Sequence, residues 1–173
     1  MFRSILAPLQ PGKLLDLGCG HGKFSMLASS MSWEVTGVDA RTERMPEDKN
    51  VRWVQSDVRD FEIGHYDCIL LLGLLYHLPA EDQLSLLRKC YEAAPVMILD
   101  THVAGDGKLR KREGYSGTLY KEPGLTTSSW GNETSFWATY PEILRMLRDT
   151  GFRHVAPVMP PYAEGRTFYI CHS

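Results

Sequence analysis

Cysteine is sparse in this chain: Cys19, Cys68, Cys90 and Cys171 stand far apart and form no Cys-x-x-Cys pair. That absence excludes a zinc knuckle and a redox dithiol, gives no reason to expect a metal site, and makes buried free thiols in a reducing compartment the expectation. Long apolar runs are missing as well. The strongest, residues 68–75, falls far short of the ~18 residues a spanning helix requires, and no apolar core following a basic segment marks the N-terminus. No membrane association and a soluble, cytoplasmic location are expected. Charge of one sign is also lacking: 19 Lys+Arg against 21 Asp+Glu leave a net charge of −2, which supplies no electrostatic attraction for a long polyanion. Internal repeats and low-complexity tracts are absent.

What remains is ordinary globular material. With 173 residues, 43% hydrophobic and 23% charged, the chain is large enough to bury a core as a single domain over 1–173. Apolar runs at 13–17, 34–38, 51–55, 66–72 and 96–100 read as strands, and 23–30, the stretch opening at Pro79 and 140–150 as helices. The 68–72 run is the most continuously apolar, as expected of a central parallel strand covered on both faces. A final strand at 166–171 is expected to pair antiparallel with 155–158 at the sheet edge. Alternating strands and helices give an α/β fold with a mostly parallel sheet. Residues 104–137 interrupt this alternation with glycine, charge and aromatics, and a connection of that length is expected to be a functional loop or small subdomain.

The chemistry is concentrated in Lys13-Leu14-Leu15-Asp16-Leu17-Gly18-Cys19-Gly20-His21-Gly22, a strand running into a turn with three glycines at alternate positions. Such a turn lets backbone approach a ligand that a Cβ would exclude. Asp39 closes the second strand, where an acidic side chain can accept hydrogen bonds from ribose hydroxyls. A dinucleotide fingerprint would place its last glycine where Lys23 stands, and a P-loop would need Ser or Thr after Gly22-Lys23, where Phe24 stands. Ligands of open α/β sheets bind beyond the strands' carboxyl ends, which gathers Asp16, Gly18, Asp39, Asp57, Gly73, Leu74 and Asp100 to His102 on one rim.

Through 14–22, Asp39, Ser56-Asp57-Val58 and Tyr66-Asp67-Cys68-Ile69-Leu70, the chain resembles class I S-adenosylmethionine-dependent methyltransferases over residues 11–100. The resemblance implies a Rossmann-like, mostly parallel seven-stranded sheet with an antiparallel C-terminal strand. It also implies S-adenosyl-L-methionine as cofactor and S-adenosyl-L-homocysteine as product. In that family the loop matching Gly18, Cys19, Gly20 and His21 faces the methionine part, and the residue matching Asp39 holds the ribose. Asp57 and Val58 then lie by the adenine, with Ala40, Leu72 and Gly73 completing the surface. Asp16 either orients the loop, meets the cofactor amino group through water, or simply fixes the turn. Asp39 and Asp57 have plain alternatives as a strand terminus and a turn cap.

On the acceptor side, His102 after the fifth strand is the first choice as base or acceptor orienter, with a hydrogen-bonded loop histidine as its alternative, and His77 the second, with a packing or helix-capping role as its alternative. Tyr115, Tyr120, Trp130, Trp137 and Tyr140 either wall a pocket for a planar acceptor or form a satellite apolar cluster. Arg110-Lys111-Arg112 is a solvated face or a contact for an anionic acceptor or RNA. The stretch 130–137 with Tyr140-Pro141 loosely looks like wobble-uridine transfer-RNA methyltransferases and their small-molecule relatives. No Asn-Pro-Pro-Tyr-like motif follows the fourth strand, which disfavours exocyclic adenine methylation. The expected activity is in-line methyl transfer to a small molecule. The alternatives are methylation of tRNA or another RNA, and a non-catalytic S-adenosylmethionine-binding regulator. Cover for the pocket is expected from the 104–137 insertion or from a homodimer partner.

Overall fold

The structure, a computed structural model, describes residues 2–43, 45–105, 107–125, 128–159 and 166–173. In chain order the elements are α1 (Phe2–Leu6), β1 (Lys13–Leu17), α2 (Lys23–Ser29), β2 (Glu34–Asp39), β3 (Val51–Gln55), β4 (Cys68–Leu72) and a 3₁₀ turn at Leu75–His77. There follow α3 (Ala80–Ala93), β5 (Val96–His102), β6 (Arg110–Arg112), β7 (Tyr115–Lys121), β8 (Thr134–Ala138), α4 (Tyr140–Thr150), β9 (His154–Val158) and β10 (Arg166–His172).

Seven strands form one sheet in the order β3-β2-β1-β4-β5-β10-β9, parallel except for β10, which runs antiparallel to both its neighbours. The sequence-based expectation of a mostly parallel seven-stranded sheet with an antiparallel C-terminal strand is met. The order reverses between β1 and β4, the switch point where open α/β sheets form a crevice.

Period-two alternation distributes the core. Leu15, Leu17, Ile69, Leu71, Met97 and Leu99 share one cluster with Leu86 and Leu87 of α3 and with Met146 and Leu147 of α4. Leu14, Cys68, Leu70, Leu72 and Ile98 pack in the other with Phe2 and Leu6 of α1 and Ala28 of α2. Every residue of β4 is buried, which is why that run shows no polar alternation.

Strand β4 begins two residues later than its apolar pattern suggests, and β5 continues through His102. The larger departure lies at 104–137. Three strands form a second, antiparallel sheet there, β6-β7-β8, with β8 fastened to the main body by Phe136 N–H to Leu78 O at 3.0 Å and Ala104 N–H to Ala138 O at 2.9 Å.

Candidate active site

The turn after β1 needs its glycines. Gly18, Gly20 and Gly22 all have positive φ (72°, 51° and 65°), a region open to glycine and strained for other residues. The turn is tied to β2 by Gly18 N–H to Val38 O at 2.8 Å and Cys19 N–H to Val38 O at 3.0 Å. A Cβ on Gly18 would stand 3.0 Å from the Leu74 methyl carbons, whereas one on Gly20 would meet nothing within 4 Å. The space above Gly20 belongs to a cleft that Gly18 and Gly20 border.

Asp39 stands beside the turn. Its Oδ2 accepts the Gly20 N–H at 2.9 Å and its Oδ1 the Arg41 N–H at 2.9 Å, so one carboxylate holds two loops together. Each oxygen retains a lone pair for a further donor. Ala40, Asp57, Val58, Gly73, Leu74 and His77 complete the rim at the ends of β2, β3 and β4.

Asp57 is already heavily engaged. Its Oδ1 accepts the Arg59 N–H and Nε, both at 2.9 Å, and its Oδ2 accepts Nη2 at 2.5 Å. Burial acts to raise the carboxyl's pKa, but the hydrogen bonds and charge of Arg59 outweigh it and hold it below the ordinary value.

The cleft also has a roof. Ser128, Ser129 and Trp130 of the insertion line it, with Arg41 Nη2 donating to Ser129 O at 3.3 Å and Arg59 Nη2 to Trp130 O at 2.9 Å. The Arg41 guanidinium also lies 5.1 Å from the Trp130 ring centroid. Trp130 is one of the residues expected at the acceptor from the sequence, whereas Ser128, Ser129, Arg41, Arg59 and Leu78 were not foreseen as site residues. A signal was present: Asp39-Ala40-Arg41 and Asp57-Val58-Arg59 repeat Asp-x-Arg at two consecutive strand ends. Each aspartate caps the arginine's N–H, and each arginine reaches the strap.

Several expected residues stand away from the cleft. Asp16 lies beneath it, accepting the Ser25 hydroxyl at 2.5 Å, and burial pushes its pKa up to about 6. Cys19 packs against Gly37, and burial, with Asp16 and Asp39 adding, raises its thiol far above the ordinary value. His21 is exposed and Leu72 is part of the core.

His102, preferred over His77 from the sequence, is stacked on Trp137 at 5.0 Å and 9° with Tyr76 edge-on at 4.5 Å, while His77 borders the cleft. Tyr120 continues that stack, 4.7 Å from Trp137. Tyr115 donates its hydroxyl to Asp149 at 2.8 Å and packs beneath Arg145, 4.0 Å from its ring, so it fastens the insertion to α4. Tyr140 opens α4 with its ring 6.2 Å from Tyr169. Of the five aromatic residues expected at the acceptor, Trp130 borders the cleft.

Beside this rim Asp100 accepts Arg166 Nε at 3.0 Å and Nη2 at 2.6 Å, and its Oδ1 accepts the Gly73 N–H at 3.2 Å. Among the described residues no group of three or more His, Cys, Asp or Glu side chains is placed to hold a metal ion, and no helix is long and apolar enough to cross a membrane.

Known proteins share this framework. The ubiquinone biosynthesis O-methyltransferase of Vibrio campbellii is 35% identical over 92 residues, 45% of this chain and 37% of that protein. The corresponding Haemophilus ducreyi protein is 29% identical over 93 residues, 45% of this chain and 39% of its own. The matched region thus spans well under half the length of these relatives. Among solved structures, the N-terminal domain of EvdMO1 with SAH bound has a TM-score of 0.82 at 20% identity, covering 98% of this chain and 77% of that one. The 1,6-didemethyltoxoflavin-N1-methyltransferase of Burkholderia thailandensis has a TM-score of 0.67 at 22% identity, covering 98% and 72%. At these identities the structures show a common fold. The methyltransferase domain family matches residues 3–156, a span that takes in the glycine turn, Asp39, Asp57 and the strap, and the chain belongs to that family.

Proposed function

We propose that the cleft binds S-adenosyl-L-methionine and that the protein transfers its methyl group to a small molecule in the cytoplasm, releasing S-adenosyl-L-homocysteine. The observation that carries this reading is the open space over Gly20, walled by the Asp39 carboxylate. A side chain at position 20 would fill that space, and the carboxylate keeps acceptor capacity for a pair of ribose hydroxyls. The glycine turn would take the methionine part, Asp39 the ribose, and Val58 with the strap the adenosine end.

When bound, the cofactor supplies a methyl group on a sulfonium, already electrophilic. The chain's part is to orient the acceptor and exclude water, and ideal positioning alone is worth about 7–11 kcal/mol in intramolecular reactions. Relatives named for O-methylation and a neighbour solved with SAH support this reading. The strap encloses the cleft in the manner of a small-ligand site. RNA as acceptor draws on Arg110-Lys111-Arg112, which forms the exposed strand β6.

Calorimetry with S-adenosylmethionine and S-adenosylhomocysteine, followed by labelled-methyl transfer to panels of phenols, amines, sugars and total tRNA, tests the proposal. Binding of both and transfer to a small molecule are expected. Asp39→Ala should weaken binding by about ten- to a hundredfold, the cost of lost hydrogen bonds to a charged group. Absence of binding, or transfer confined to tRNA, overturns the reading, and binding with no transfer favours a regulatory protein.

A further inference from the structure

The insertion buries a carboxylate beside the cleft. Glu122 directly follows β7, its backbone is fixed by N–H donation to Glu133 O at 2.9 Å, and its side chain is only 3% exposed. Its two oxygens have different partners: Oε1 lies 3.1 Å from His77 Nδ1, and Oε2 accepts the Ser129 N–H at 3.1 Å. Asn132 closes the ring, donating to His77 O at 3.1 Å and Thr134 O at 3.0 Å while its Oδ1 accepts the Ser129 hydroxyl. The His77 ring packs against Tyr76 at 4.3 Å and borders the cleft.

A carboxylate only accepts, and a neutral imidazole has one donor and one acceptor nitrogen, so a hydrogen bond from Nδ1 to Glu122 Oε1 would leave Nε2 as the acceptor. We propose that Glu122 is a positioning residue that holds His77 in the Nδ1–H tautomer, making Nε2 the base for an acceptor that must lose a proton. This rests on the methyl-transfer reading above. In the step, the acceptor's lone pair forms the bond to the methyl carbon as the carbon–sulfur bond breaks, and the acceptor's proton passes to Nε2. The imidazolium so formed faces the Glu122 carboxylate until the proton leaves to solvent. Burial strengthens that pairing, because water screens it little. The carboxylate's other oxygen is committed to the strap, so the roof of the cleft and the orientation of the histidine are linked through one side chain.

Glu122→Gln separates these roles. The amide oxygen still accepts the Ser129 N–H, whereas the amide NH₂ facing His77 only donates, which makes Nδ1 an acceptor and moves the ring proton to Nε2. Two-bond ¹H–¹⁵N spectra of the labelled protein, with the His77 signal assigned by loss in His77→Gln and recorded where that ring is neutral, should show Nδ1–H in the native chain and Nε2–H in the variant. S-adenosylhomocysteine affinity should change by less than about tenfold, because the strap contact is kept. With an acceptor identified, kcat should fall by about a hundredfold or more, the range of lost general base catalysis. An Nε2–H tautomer in the native chain, a ring proton that ignores the substitution, or an unchanged kcat overturns the proposal, and the native spectrum decides alone if the variant fails to fold. Failure of the native protein to bind S-adenosylhomocysteine would instead remove the methyl-transfer reading while the tautomer is still measured.

Discussion

Two aspartates, one on the rim and one buried beneath it, show how far the surroundings decide what a carboxyl does. Asp57 keeps its charge because Arg59 supplies three donors that overcome its burial. Asp16, 2% exposed, receives the Ser25 hydroxyl, and burial lifts its pKa from 3.8 to about 6. The sign of the consequence follows from linkage. An unfolded carboxyl titrates near ~3.9, so between about pH 4 and 6 the folded chain holds a proton that the unfolded chain has lost. The contribution of Asp16 to stability is therefore greatest below that window, falls as pH rises through it, and stays low above it. A shift of this size corresponds to ~3 kcal/mol across the window. Asp16→Asn keeps an acceptor for Ser25 and removes the titration, so its stability relative to the native chain should improve by up to that amount from pH 4 to pH 7. Urea melts of both proteins at several pH values measure the difference, which cancels the carboxylates they share. A difference that stays flat across the range would mean that Asp16 remains charged in the fold. Cys90 records the same desolvation on a thiol, which burial pushes up to about 12, consistent with a packing role.

At the scale of elements, the insertion is where sequence and structure part. Residues Glu113 and Gly114 both have positive φ (48° and 83°) and join β6 to β7 in a two-residue hairpin with Arg112 paired to Tyr115. That turn is most recognisable as Asn-Gly or Asp-Gly, and Glu-Gly carries a weaker signal. Strand β6 is all charged, so no alternation marks it, and Gly117 inside β7 reads as a breaker although a Cβ there would press into the Phe136 ring. The main sheet was legible for the opposite reason. Its central strands are covered on both sides and spell their burial in apolar letters, most continuously in β4. The edge position of β6 gives its basic residues a physical role, since charged side chains keep an unpaired strand from adding to another chain. Replacing Arg110, Lys111 and Arg112 together by threonine should raise the weight-average mass in sedimentation relative to the native chain, without altering S-adenosylhomocysteine binding. A native-like sedimentation profile would remove that role for the basic residues.

For the whole molecule, the cleft is built from parts distant in sequence. The turns after β1, β2, β3 and β4 and the strap at 128–130 meet around one volume. The strand-end residues were readable because a single rule places them on one rim. Cover from the insertion was expected, but the strap's particular contacts and Glu122 were not readable, because their positions depend on a second sheet whose strands the sequence conceals, with only the repeated Asp-x-Arg pattern pointing to the clasp. A ligand in such a cleft touches the strand ends of the main sheet and the connection between β7 and β8, so it should stabilise the two sheets together. At a concentration of about 100 Kd, S-adenosylhomocysteine contributes ~2.7 kcal/mol to the folded state, which for a chain of this size corresponds to a rise in Tm of about 5–10 °C. Calorimetric scans should show one transition before and after ligand, displaced as a unit. Arg59→Ala should reduce the rise by about 2–4 °C at the same ligand concentration, because the strap then loses its tether at Trp130 O and must be ordered at the expense of binding. A ligand that split the scan into two transitions, moving the main sheet and leaving the insertion behind, would show that the strap is not part of the binding site.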